Sequence, residues 1–286
     1  MGRYFWLARA IFFRERTTMS VRYARRLLAL SAVLLLFASL AHAQATQTKP
    51  FEPTVGQAGK DVVWVPTPQA LVERMLDLAK LTPQDFLMDL GSGDGRTVIT
   101  AAKRGATAQG IEYNPDMVAL SQHNAKEAGV SGKATFVKAD LFETDFSKAQ
   151  VVTMFLLPSI NLRLRPKILE MKPGTRIVSN TFTMDDWQPD ETSSVTEDCT
   201  SWCTALLWIV PAKVEGTWTL PQGTLTLTQK FQMVSGTLAG MPISDGRLRG
   251  DEITFTAGGA KYTGKVSGNS MSGTGGSGGK WSATRK

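Results

Sequence analysis

A chain of 286 residues with 42% hydrophobic and 20% charged residues has enough apolar content for one large core and a smaller second one, which excludes a disordered or fibrous protein. The net charge is +7, but seven arginines against one acid fall within residues 1–43, which alone carry +6. The remaining +1 is close to neutral and indicates no basic face for nucleic acid.

In chain order, residues 1–43 read as an export signal. Arg22, Arg25 and Arg26 precede an apolar run at 27–40, and "AHAQA" offers small residues for cleavage after Ala43, or second after Ala45. The run is shorter than the roughly 20 residues of a membrane anchor, so periplasmic or secreted localisation is expected, with no membrane span left in the mature chain. Met19 would serve equally as a start. Residues 44–60 are polar, contain Pro and Gly, and read as a linker or extended arm. A helix follows, with Leu71, Val72, Met75, Leu76 and Leu78 at helical spacing. Strand-like segments at 86–90, 108–112, 134–137, 151–157 and 176–180 then alternate with helix-like segments at 96–104, 115–128 and 161–171. That alternation predicts a parallel α/β sheet with helices on both faces. Strand candidates at 194–197 and 204–210 have no helix between them and suggest an antiparallel pair at one edge. The α/β domain is expected over 61–212.

Near Pro211 the composition changes. Residues 214–286 are rich in Thr and Gly, alternate with period two and carry no helix signal, so a small all-β antiparallel barrel or sandwich is expected. Its Trp218, Tyr262 and Trp281 either close its core or form a binding face. Cys199 and Cys203, in "EDCTSWC", are compatible with a small disulfide across a turn or with two free thiols; they are too few for a zinc site. His123 is the one histidine beyond residue 43, which leaves little room for a His-dependent triad.

The chemistry concentrates in "DLGSGDG", residues 89–95. Gly91, Gly93 and Gly95 follow the acid Asp89 at the tip of a strand and lead into a helix. Such a turn lets the backbone approach a ligand and leaves helix N–H groups free. Glu112 ends the second strand, roughly 20 residues on, where a carboxylate reaches ribose hydroxyls. Asp140 ends the third, placed to accept from an adenine amino group. Three acids at adjacent strand tips mark the ligand-binding end of an open α/β sheet. Each alone would read as a helix cap or a solvated turn acid. The dinucleotide fingerprint does not fit, because Arg96 stands where its third glycine belongs.

The spacing D-x-G-x-G-x-G resembles the first motif of class I S-adenosylmethionine-dependent methyltransferases. With "VWVPTP" (63–68), "GIEYNP", "ADLF" and "PGTRIVSNTF…DDW", the chain resembles the small seven-strand lysine methyltransferases that modify the c-ring protein of ATP synthase and the adenine nucleotide translocase. The resemblance spans about residues 60–210 and implies a Rossmann-like, doubly wound, seven-stranded sheet with S-adenosyl-L-methionine as cofactor. It implies that Asp89, Gly91, Gly93 and Gly95 line the methionine part, Glu112 the ribose, and Asp140 with Leu141 the adenine edge, with Ser92, Tyr113 and Asn114 also at the cofactor and Asp94 a site acid rather than a surface one. Pro66 and Thr67 would belong to a segment folding over the cofactor. The acceptor implied is a protein lysine or another amine. "FLLPSINLRLRPK" should line its slot, with Phe155, Pro158 and Asn161 either in the slot or simply a strand end and helix cap, and Trp187 either walls that slot or is a core residue. Two other readings are an exported ligand-binding protein without turnover, and a chain whose working part is the β module. Catalytic residues and oligomeric state are not legible.

Overall fold

The computed structural model describes residues 51–276 and 278–286; the expected signal segment and residues 44–50 of the expected linker lie outside them. Five short apolar strands form the centre of the first domain: β1 (Phe86–Leu90), β2 (Thr107–Glu112), β3 (Ala134–Lys138), β4 (Val151–Met154) and β5 (Arg176–Asn180). With β6 (Glu191–Ser194) and β7 (Thr204–Ile209) they make a seven-stranded sheet in the order β3-β2-β1-β4-β5-β7-β6. The first five run parallel and β7 is antiparallel to both β5 and β6.

Neighbouring residues of one strand serve opposite cores, as the pleat requires. Leu87, Val151, Val178 and Leu207 face the core built with the helices α1 (Gln69–Leu78), α2 (Arg96–Lys103) and α3 (Pro115–Glu127). Met88, Val152, Ile177 and Leu206 face the core built with α4 (Pro158–Leu169). Two stretches differ from expectation by three residues. Strand β4 ends at Met154 rather than at 157, and α4 begins at Pro158, whose missing N–H is harmless in the first helical turn. Strand β6 lies at 191–194 rather than 194–197; it is a polar sheet edge whose half-buried, half-exposed residues leave no apolar alternation to read.

The second domain is a barrel, not a sandwich: eight antiparallel strands from β8 (Gly216–Leu220) to β15 (Gly279–Arg285) close in the order β10-β11-β12-β13-β14-β15-β8-β9. Its interior is filled by Leu225, Leu227, Leu248, Ile253, Phe255, Trp281 and their neighbours. Trp218 is fully buried and its indole N–H donates to the Val214 carbonyl (2.8 Å). Trp281 is buried too, stacked edge-on against Phe255, and Tyr262 packs on the same core. These rings are therefore the barrel's filling and not a binding face. The barrel is fastened to the sheet domain. Phe231 stacks on Trp187 (ring centroids 5.6 Å apart), Arg247 reaches the buried carboxylate of Asp190 (2.7 Å), and Arg249 pairs with Glu191. Trp187 is thus fully buried core between the domains, and its reading as a slot wall is set aside.

Candidate active site

Beyond Asp89 and Leu90 the chain leaves the sheet through three left-handed glycines, Gly91, Gly93 and Gly95 (φ 78°, 54° and 83°). The N–H groups of Gly91 and Ser92 both donate to the Ile111 carbonyl (2.9 and 3.0 Å), which ties the bend to the tip of β2. A Cβ on Gly93 would stand 2.7 Å from the indole nitrogen of Trp64, so the absence of a side chain keeps the loop open beneath that ring. Gly95 serves another purpose. Its Cβ would lie 2.6 Å from Ser121 Cβ and 2.7 Å from the Phe136 ring, so it lets α2 pack against α3 and β3 and does not line the cavity as expected.

The three strand-tip acids meet at one cavity of about 560 Å³, within the range of small-molecule sites. Every expected cofactor residue except Gly95 lines it. Asp89 is buried and accepts from Thr153 Oγ1 (2.6 Å), its register partner on β4. Burial, reinforced by the charges of Glu112 and Asp94, pushes its carboxyl up to about 7. Glu112 accepts from the N–H groups of Gly93 and Asn114, each at 2.9 Å. It is therefore braced by the loop and by its own strand end. Asp140 accepts from Phe142 N–H (2.9 Å) and pairs with Lys60, whose hydrogen bond holds that carboxyl below its usual range. The Lys60 ammonium also lies 4.7 Å from the centre of the Tyr113 ring. Asp94 is held by Arg96 in a forked pair (2.6 Å at its shortest), and Arg96 in turn donates to the Thr67 carbonyl (2.9 Å).

One feature fits a cationic ligand in particular. Asp89 is a buried carboxylate with no cation against it among the described residues, and a positively charged ligand would relieve that. The segment expected as a linker contributes as well. Residues 57–67 all line the cavity, and the arm is fixed by hydrogen bonds between Gly56 N–H and the Trp64 carbonyl and between Trp64 N–H and the Gln57 carbonyl. Its described part is a cover over the site rather than a spacer.

At the other end the cavity turns apolar. Phe155 lines it as expected. Pro158 starts α4, and Asn161 is fully buried behind the wall, its amide donating to the Phe182 and Thr183 carbonyls (3.2 Å each). Sequence reasoning missed Phe182 and Trp202, whose rings lie 5.7 and 6.0 Å from Phe155. The readable signal was an aromatic enclosed between two cysteines in "CTSWC". Cys199 and Cys203 form a disulfide, which decides between the two states left open by the sequence.

Known proteins are similar to this chain in sequence over its sheet domain. The family described as ANTKMT methyltransferase domain matches residues 89–191. A protein-lysine N-methyltransferase of Saccharolobus islandicus is 45% identical over 152 residues, covering 52% of this chain and 94% of that protein. The adenine nucleotide translocase lysine N-methyltransferase of Mus musculus is 38% identical over 120 residues, covering 41% of this chain and 52% of that protein. A solved structure titled as an RNA methyltransferase from Salinibacter ruber with S-adenosyl-L-homocysteine shares 48% identity over 52% of this chain and 96% of its own, with a TM-score of 0.49. The chain thus spans nearly all of the Saccharolobus islandicus relative and about half of the Mus musculus one.

Proposed function

The chain belongs to the ANTKMT methyltransferase family, and from that premise we propose that it N-methylates a lysine side chain of a protein, using S-adenosyl-L-methionine. The observation that carries the reading is the convergence of Asp89, Glu112 and Asp140 on one cavity floored by the glycine bend. Bound there, the cofactor would supply a methyl carbon on a positively charged sulfur, and transfer to the amine nitrogen would leave the electron pair of the broken C–S bond on sulfur.

The protein's share is position and exclusion of water. Asp89, whose buried carboxyl holds its proton to near neutrality in the ligand-free site, offers negative charge at the methionine end once a cationic ligand favours its ionised form. Glu112, already braced by two backbone N–H groups, presents its remaining lone pairs in a set direction to the ribose. Asp140 stands at the adenine edge, and for it to accept from the base its pairing with Lys60 must loosen or be shared. The acceptor amine has to be neutral to attack, and a desolvating apolar wall lowers the pKa of an ammonium. Phe155 and its neighbours provide such a wall.

Calorimetry of the purified chain with S-adenosyl-L-homocysteine tests this. Binding is expected, with Glu112→Ala weakening it at least tenfold; wild-type protein that binds none defeats the assignment. We also propose export, on the pattern of residues 1–43 and on the Cys199–Cys203 disulfide, a bond that persists mainly in oxidising compartments. A reporter fused after Ala45 should be found outside the cytoplasm, and its retention inside would end that proposal.

A further inference from the structure

The apolar end of the cavity is built from three rings on three different elements. Phe155 follows β4, Phe182 follows β5, and Trp202 sits in the connection from β6 to β7. Phe155 and Phe182 are stacked, with 19° between their planes, and Trp202 is tilted against Phe155 at 60°. All three border the same space as Asp89 and Glu112.

Their placement is held against local preference. Thr181, directly before Phe182, has φ 59°, and Trp202 itself has φ 55°. A β-branched residue and a bulky one in the left-handed region are outliers that persist only where surrounding structure over-determines them. Both are restrained here. At Thr181 the N–H donates to the Thr204 carbonyl (2.7 Å), and the Phe182 carbonyl is held by Ser179 Oγ (2.7 Å) and by the buried Asn161 amide. At Trp202 the restraint is the Cys199–Cys203 bond, which closes the loop around it. Trp202 remains 43% exposed, a large aromatic surface left at the cavity rim.

We propose that Phe155, Phe182 and Trp202 form the slot through which a lysine side chain reaches the methyl donor, and that the Cys199–Cys203 disulfide is the positioning element that holds Trp202 in it. The proposal rests on the methyltransferase reading and names its acceptor subsite. Flat rings match the apolar four-carbon stem on entry, and their faces attract the methylated ammonium formed after transfer. The slot therefore favours an alkylammonium over a nucleic-acid base edge, which would need hydrogen-bond partners that these three rings do not supply.

The test uses the full chain, disulfide intact, saturated with S-adenosyl-L-homocysteine and titrated calorimetrically with n-butyltrimethylammonium, which reproduces a trimethylated lysine side chain. Saturable binding is expected. Trp202→Ala should weaken it at least tenfold, Trp202→Phe should retain it within about threefold, and the double change Cys199→Ser/Cys203→Ser should weaken it at least threefold. Affinity for S-adenosyl-L-homocysteine should stay within twofold in all three, which separates loss of the slot from loss of the fold. If the homocysteine derivative binds but the ammonium does not, or binds equally well to Trp202→Ala, the slot is wrong while the cofactor site stands. If the ammonium binding is lost with Trp202→Ala but unchanged in the cysteine variant, the positioning role of the disulfide is overturned. Failure of S-adenosyl-L-homocysteine to bind wild-type protein overturns both readings.

Discussion

Replacing Asp89 by Asn should stabilise the ligand-free protein while it damages cofactor binding. The amide oxygen of Asn can still accept from Thr153 Oγ1, so the change removes charge and little else. Burial, with Glu112 and Asp94 adding to it, raises the carboxyl from 3.8 to about 7. In the unfolded chain the group ionises near its ordinary value, whereas in the folded one it keeps its proton to near neutrality. The folded state therefore binds more protons between those limits, and its stability falls as pH rises through that window. At 1.36 kcal/mol for each unit of pH, the loss amounts to roughly 4 kcal/mol above neutrality, an upper figure because water entry and relaxation lessen it. Urea denaturation followed by tryptophan fluorescence should show Asp89→Asn more stable than wild type at pH 8. The two should converge as pH falls toward 4. S-adenosyl-L-homocysteine affinity should change the other way, weakening at least tenfold at pH 8. A variant less stable than wild type at pH 8, or a stability difference that ignores pH, would refute the reasoning.

Two substitutions of glycine should separate packing from backbone conformation. Gly95→Ala meets Ser121 and Phe136 and must hold a left-handed backbone, a cost of about 2–4 kcal/mol in chemical denaturation. Gly129→Ala, at φ 70° with open space around it, should cost about 1 kcal/mol; equal losses at the two sites would contradict the packing account. At the barrel contact, Arg247→Ala leaves the buried Asp190 carboxylate with the Ile209 N–H as its partner. Because Arg247 is partly exposed, water compensates in part, and a loss of about 1–3 kcal/mol is expected. Scanning calorimetry should then show the barrel and sheet transitions drawing apart, and a single unaltered transition would argue against the coupling.

What the sequence disclosed and what it concealed differ by physical cause. The parallel strands are buried on both faces and read as apolar runs such as "FLMDL" and "VVTM", so the central sheet was legible, although the apolar run continuing past Met154 made β4 look three residues too long. The glycine bend and the acids at 89, 112 and 140 were legible because few other roles require that spacing. Gly95 stands apart from the cavity lining, and a glycine needed for helix packing looks the same in one dimension as one needed for a ligand. Trp187 was ambiguous because its burial depends on Phe231, 44 positions away in a different domain. The arm at 51–60 looked like a linker because it meets the site through backbone hydrogen bonds and one lysine, with no periodic apolar pattern. Phe182 and Trp202 came together only once β5, β6 and β7 had been placed side by side.

The barrel's hold on the segment after β5 also bears on where the chain can be cut. Residues 182–191 carry a wall of the cavity at one end, Phe182, and at the other the groups gripped by the barrel: Trp187, Gln188, Asp190 and Glu191. A fragment ending near residue 212 would contain every strand of the seven-stranded sheet, yet it would bare a tryptophan and strand a carboxylate in an apolar surface. The border between the two domains is therefore one of connectivity and not of autonomy, and the eight-stranded module behaves as the outer brace of the catalytic half.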